Sequence, residues 1–122
     1  MKAAVYKKYG PPEVVKLTEV DRPSPKSGEV LVKVYATTVN RTDCGFRSAQ
    51  YFVSRFFSGL FKPKFGILGN EFAGVIEAVG KDVTLFNVGD NVFGYNDTKF
   101  GAHAEYMTLA ETDAITTIPD GV

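Results

Sequence analysis

Twelve glycines and six prolines punctuate the 122 residues, and the intervals between them are short runs rich in Val, Ile, Tyr and Thr. This rhythm constrains the fold more than any other feature, because short β-prone segments bounded by turn formers are the mark of an all-β barrel or sandwich. It predicts strands near 2–7, 14–20, 29–39, 71–79, 91–95, 103–109 and 114–118. The clearest is "EVLVKVYATTV", where Val30, Val32, Val34 and Ala36 alternate with Leu31, Lys33 and Tyr35, giving one continuously apolar face and one mixed face. The preceding "DRPSPKSGE" is a connector, since Pro23 and Pro25 cannot donate to a ladder and Gly28 suits a turn.

Between residues 41 and 65 the rhythm fails. Phe52, Val53, Phe56, Phe57, Leu60 and Phe61 recur at helical spacing, so a short helical insertion is expected near residues 41–62. Two roles fit this aromatic stripe: it seals an open barrel end, or part of it lines or lids an apolar ligand pocket.

A chain of this length buries roughly two-thirds of its unfolded surface around a single core, without staples. Lys plus Arg and Asp plus Glu balance at 14 each, so no basic field steers it to nucleic acid or anionic lipid, and neither partner is expected. No apolar run approaches the roughly 18 residues of a membrane span. The single cysteine, Cys44, permits no internal disulfide, and a cytoplasmic setting is expected.

Chemistry-bearing residues are few. His103 is the only histidine and Cys44 the only cysteine, too few for the three or four ligands of a zinc site. His103 reads as a strand side chain, and Cys44 as a small packing residue. No G-x-G-x-x-G or Walker pattern is present, so nothing here cradles a dinucleotide phosphate, and the glycines of "GNEFAGVIEAVG" read as close packing or bends in a barrel strand. In "VNRTDCGFR" the residues Asn40, Arg41, Thr42 and Asp43 arrive together where the long strand ends. They either bond the local backbone or face a pocket. Glu71 stands where a buried strand begins, and an unpaired buried carboxylate costs several kcal/mol. It is either at the surface or used.

The segments "VNRTDCGFRS", "ILGNEFAGVIEAVG", "VGDNVFGY", "GAHAEYMTL" and "TTIPDGV", in this order and spacing, resemble the amino-terminal catalytic domain of the medium-chain dehydrogenase/reductase superfamily. The resemblance implies a mainly β fold, a GroES-like β-barrel. In zinc-dependent members a cysteine and a histidine ligand stand at the positions of Asn40 and Asn70, and amides are poor zinc ligands. The four-cysteine lobe of many relatives is missing too. The chain is therefore similar to the zinc-independent, quinone oxidoreductase-like branch, which uses NADPH to reduce quinones or activated alkenes. On this resemblance Glu71 is a partly buried carboxylate that orients its neighbours by hydrogen bonds. Asn40, Asp43 and Glu71 are the candidate catalytic or polar positioning residues, and Phe46, Arg47, Phe52 and Phe56 the candidate substrate walls. Asn40 and Arg41 face the cofactor. Residues 1–122 are expected to be a fragment of a longer oxidoreductase, inactive alone, whose Rossmann domain holds most of the NADPH and whose small-molecule substrate lies in the interdomain cleft. A homo-oligomeric parent is expected. The competing reading is a non-enzymatic GroES-like binding module.

Overall fold

The computed structural model describes residues 1–48, 66–96 and 99–122. Strands β1 (Lys2–Tyr6) and β2 (Val15–Glu19) form an antiparallel hairpin, closed by a 3-10 turn over Pro12–Val14. The remaining strands are β3 (Glu29–Thr37), β4 (Glu71–Val79), β5 (Asn91–Tyr95), β6 (Tyr106–Ala110) and β7 (Ala114–Thr117), which make an antiparallel sheet in the order β6-β3-β4-β5-β7. Isolated bridges between Ala3 and Ala104 and between Val5 and Ile67 tie the hairpin to this sheet. The mainly β reading therefore holds. The expected helix is present as α1, Arg41–Ser48, and the rest of the insertion, with the Phe52–Phe61 stripe, lies outside the described residues. No helix among the described residues is long and apolar enough to cross a membrane.

The sheet exists because its apolar side chains share a face. Val30 and Val32 of β3, Phe72 and Ile76 of β4, Val92 of β5 and Met107 and Leu109 of β6 form one buried cluster with Phe86 and Ala102. Each large side chain there contributes about 1.5–3 kcal/mol by leaving water. The alternation expected along β3 is only partly realised. Leu31 is buried as well, and Tyr35, Ala36 and Thr37 are exposed. The reason is topological: β6 pairs with Glu29–Lys33 only, so the last turn of β3 has a neighbour on one side alone.

Register shifts between Leu31 and Val32 and between Val34 and Ala36 bend the β3–β4 ladder. At Gly74 the backbone of β3 comes so close that a Cβ would overlap the carbonyl oxygen of Lys33, which is the close approach expected of this glycine. Strand β6 begins at Tyr106 rather than at 103. Residues 102–104 bond elsewhere instead, Ala102 N–H to Gly69 O, His103 N–H to Leu68 O, and Ala4 N–H to His103 O.

Candidate functional site

Where β3 runs out, the chain turns into α1 and meets the segment before β4. Asn40 caps the helix: its Oδ1 accepts from the amides of Thr42 (3.0 Å) and Asp43 (3.2 Å). The carboxylate of Asp43 answers by accepting the Asn40 amide at 3.0 Å. This reciprocal pair is a capping box, built because the first helical amides have no partner within the helix. The same carboxylate extends further than a cap. Its second oxygen accepts the Gly69 amide at 3.0 Å, and the side chain is 2% exposed. Two amides and the positive end of α1 compensate a charge that burial alone would make costly.

Asn40 is joined to the far side of the corner by its amide nitrogen, which donates to Asn70 Oδ1 at 2.7 Å. Asn70 is itself 1% exposed. Gly69, just before it, has φ +97°, and a Cβ there would lie 2.6 Å from the backbone nitrogen and ring of His103, so only glycine lets residues 69–71 run this close to residue 103. Glu71 is half-buried. Thr38 Oγ1 donates to its carboxylate and Thr37 Oγ1 to its carbonyl at 2.7 Å, so the carboxylate is held beside the strand end rather than free in solvent. Across the corner, His103 Nε2 lies 2.8 Å from the Thr38 carbonyl oxygen and 3.9 Å from Asp43 Oδ2. A carbonyl only accepts, so Nε2 carries the proton.

Thus Asn40, Asp43 and Glu71 do gather at one corner, where Asn40 and Asp43 bond the local backbone and also reach across the fold. Glu71 and Thr38 sit at the rim of an open groove of about 710 Å3 whose apolar wall includes Phe93, Tyr95 and Ile115. Asp43, Arg47 and His103 line a second groove of about 520 Å3, with Leu17, Tyr35 and Val39 at its edge. Arg47 donates Nε–H to the Gly10 carbonyl at 3.3 Å, and its guanidinium lies 3.9 Å from Cys44 Sγ. Phe46 packs edge-to-face on Phe100 at 4.9 Å, in a small core with Tyr6 and Leu68, and lines neither groove. Arg41 is exposed on the first turn of α1. Phe52 and Phe56 lie outside the described residues. Sequence reasoning gave no role to Thr38, read Gly69 only as close packing or a bend, and misplaced His103 on a strand. The signal that pointed closest was the adjacency of Gly69, Asn70 and Glu71.

The donor set does not suit a metal. Among the described residues no three His, Cys, Asp or Glu side chains converge, and at the corner one amide N–H of Asn40 donates to Asn70 Oδ1. For a dinucleotide the fit is partial: the amides of residues 42 and 43 are taken by Asn40, and the exposed Arg41 guanidinium is one cation of the described residues available to a phosphate.

Residues 26–120 match the alcohol dehydrogenase GroES-like domain. The chain belongs to this family. It falls with the quinone oxidoreductase-like members of the medium-chain dehydrogenase/reductase superfamily. It is 40% identical over 121 residues to a quinone oxidoreductase of Mus musculus, covering 98% of this chain and 34% of that one. The quinone oxidoreductase of Coxiella burnetii superimposes with a TM-score of 0.86 at 31% identity, over all of this chain and 38% of its own. That of Escherichia coli, solved with NADPH, superimposes with a TM-score of 0.83 at 25% identity, over all of this chain and 34% of its own. The GroES-like domain described here thus spans about a third of the length of such relatives.

Proposed function

We propose that this domain is the substrate side of a longer, zinc-independent, NADPH-dependent oxidoreductase that reduces quinones or activated alkenes. The Asn40–Asn70 amide pair carries the reading, together with the likeness to quinone oxidoreductases. When bound, the reduced nicotinamide supplies a hydride to an electrophilic carbon of the substrate, and solvent supplies the proton. This chain's part is orientation and electrostatics. Asn40 has its Oδ1 and one N–H engaged; the second N–H of its amide is the donor assigned to the substrate oxygen. Asn70 and the helix cap fix that amide's direction, and Asp43 fixes the turn that bears it. Glu71, held by Thr38, sets the charge at the groove rim. Arg41 is assigned to the cofactor phosphates, whose main site belongs to a Rossmann domain outside residues 1–122. Arg47, at the second groove, and Phe52 and Phe56 are assigned to the substrate side, and Phe46 backs α1 from its core with Phe100. The substrate is a small molecule, the parent a cytoplasmic homo-oligomer, and nucleic acid and membrane are not partners.

The test is to follow NADPH absorbance with the full-length protein and a panel of quinones and enones. Saturable, substrate-dependent oxidation is expected, and inertness toward every quinone and enone would overturn the proposal. Residues 1–122 alone should give no saturable change in NADPH fluorescence, and micromolar binding would relocate the cofactor site.

A further inference from the structure

Residues 38–40 present a mechanical problem. Strand β3 ends at Thr37, so the ladder no longer holds the chain, and burial does not replace it: Thr38 is exposed and Val39 is 73% exposed. Yet this link carries Asn40 to its place beside Asn70. Hydrogen bonds do the holding. Thr37 and Thr38 hydroxyls reach the backbone and carboxylate of Glu71, the Asn40 amide reaches Asp43, and the Thr38 carbonyl receives His103 Nε2.

His103 is anchored from outside the corner. Its backbone is fixed by Leu68 on one side and Ala4 on the other, and Ala102 before it bonds Gly69. Its ring lies against the bare Cα of Gly69. Its ring bonds the exposed link and its backbone bonds the β1 hairpin, while the ring stands 3.9 Å from the buried Asp43 carboxylate. That distance is too long for a hydrogen bond and close enough for charge to matter.

We propose that His103 is a positioning residue for the reaction: by donating Nε2–H to the Thr38 carbonyl it sets where the 38–40 link, and with it the Asn40 amide, stands relative to the substrate. This rests on the functional reading above. A misplacement of about 1 Å in such a group is enough to cost up to about a hundred-fold in rate, while the single neutral hydrogen bond is worth about tenfold at most, so the smaller figure bounds the effect.

The experiment compares three variants of the full-length protein. His103→Phe and His103→Leu lack the donor, the first keeping a ring against Gly69, and His103→Gln keeps a donor near the Nε2 position. Steady-state kinetics with NADPH and a quinone accepted by the wild type should show kcat down about tenfold in the Phe and Leu variants, KM within about twofold, and kcat in the Gln variant back to within about threefold. Hydrogen exchange read by mass spectrometry should be faster across residues 38–40 in the Phe and Leu variants and restored in Gln. A donor-less variant that folds, keeps wild-type kcat and keeps wild-type exchange overturns the proposal, as does a Gln variant no better than Phe or Leu. Should wild-type protein reduce no quinone or enone, the functional reading fails by itself. The positioning role is then decided by exchange: faster in Phe or Leu and restored in Gln supports it, and unchanged exchange overturns it.

Discussion

The core beneath the five-stranded sheet and the polar corner at the end of β3, where Asp43 and Asn70 are as buried as core residues, are built on opposite terms. In the core, Val30, Val32, Ile76, Val92 and Leu109 each touch many partners and none in particular, so any apolar side chain of similar volume serves. In the corner nearly every atom has one named partner: Asp43 with Asn40 and Gly69, Asn40 with Asn70, Thr38 with Glu71 and His103. Burial there removes little apolar surface, and its stability depends on complete pairing. On the proposed function, stability and turnover are separable in the core and coupled in the corner.

Ile76→Ala gives the largest expected effect. Ile76 is 1% exposed, so truncation should cost about 2–5 kcal/mol in denaturant unfolding, while turnover per folded molecule of the full-length protein stays unchanged. A loss of kcat at full folding would break the contrast. Gly69→Ala is next. Its φ of +97° and the nearness of His103 make a Cβ strained and crowded, and about 1–3 kcal/mol of stability should go with a fall in kcat. Stability lost alone would place Gly69 with the core.

Asp43→Asn sharpens the comparison from the corner's side. An amide replaces one of two engaged oxygens, setting an N–H against the N–H of Asn40 or Gly69. The expected cost is about 1–3 kcal/mol in stability and on the order of ten- to a hundred-fold in kcat/KM. A destabilised variant with full turnover would reduce Asp43 to a helix cap.

The smallest effect belongs to Tyr6, whose buried hydroxyl has no hydrogen-bond partner among the described residues. Burial, and secondarily Tyr9, push its ionisation well above the ordinary tyrosine value. A folded-state pKa raised above the unfolded one means that the contribution is complete below about pH 10 and is lost as pH rises beyond it. Tyr6→Phe should therefore leave stability at neutral pH nearly unchanged and make its decline above about pH 10 shallower. Denaturant unfolding along a pH series checks both. An unchanged alkaline slope would assign the loss to other groups.

This contrast also explains which features are legible in the sequence. Alternation in "EVLVKVYATTV" and the turn-forming glycines and prolines exposed most of the sheet, since core strands are written in local periodicity. Where the pattern misled, at Ala36 and Leu31, the cause was which strands lie alongside, which no local pattern carries. Asn40, Asp43 and Glu71 were legible as polar residues at apolar junctions. Their partners were not, because Asp43 meets Gly69 across 26 residues and Thr38 meets His103 across 65. Single-histidine logic set His103 aside as a ligand and could not see it as a brace.

The proposed function rests on the Asn40–Asn70 amide pair and requires turnover without a metal. Its most direct test is zinc content and quinone-dependent NADPH oxidation of the full-length protein, before and after dialysis against a strong chelator. Zinc far below one per chain with undiminished activity is the expected result. One tightly held zinc per chain, with activity lost on its removal and regained on its return, would contradict it.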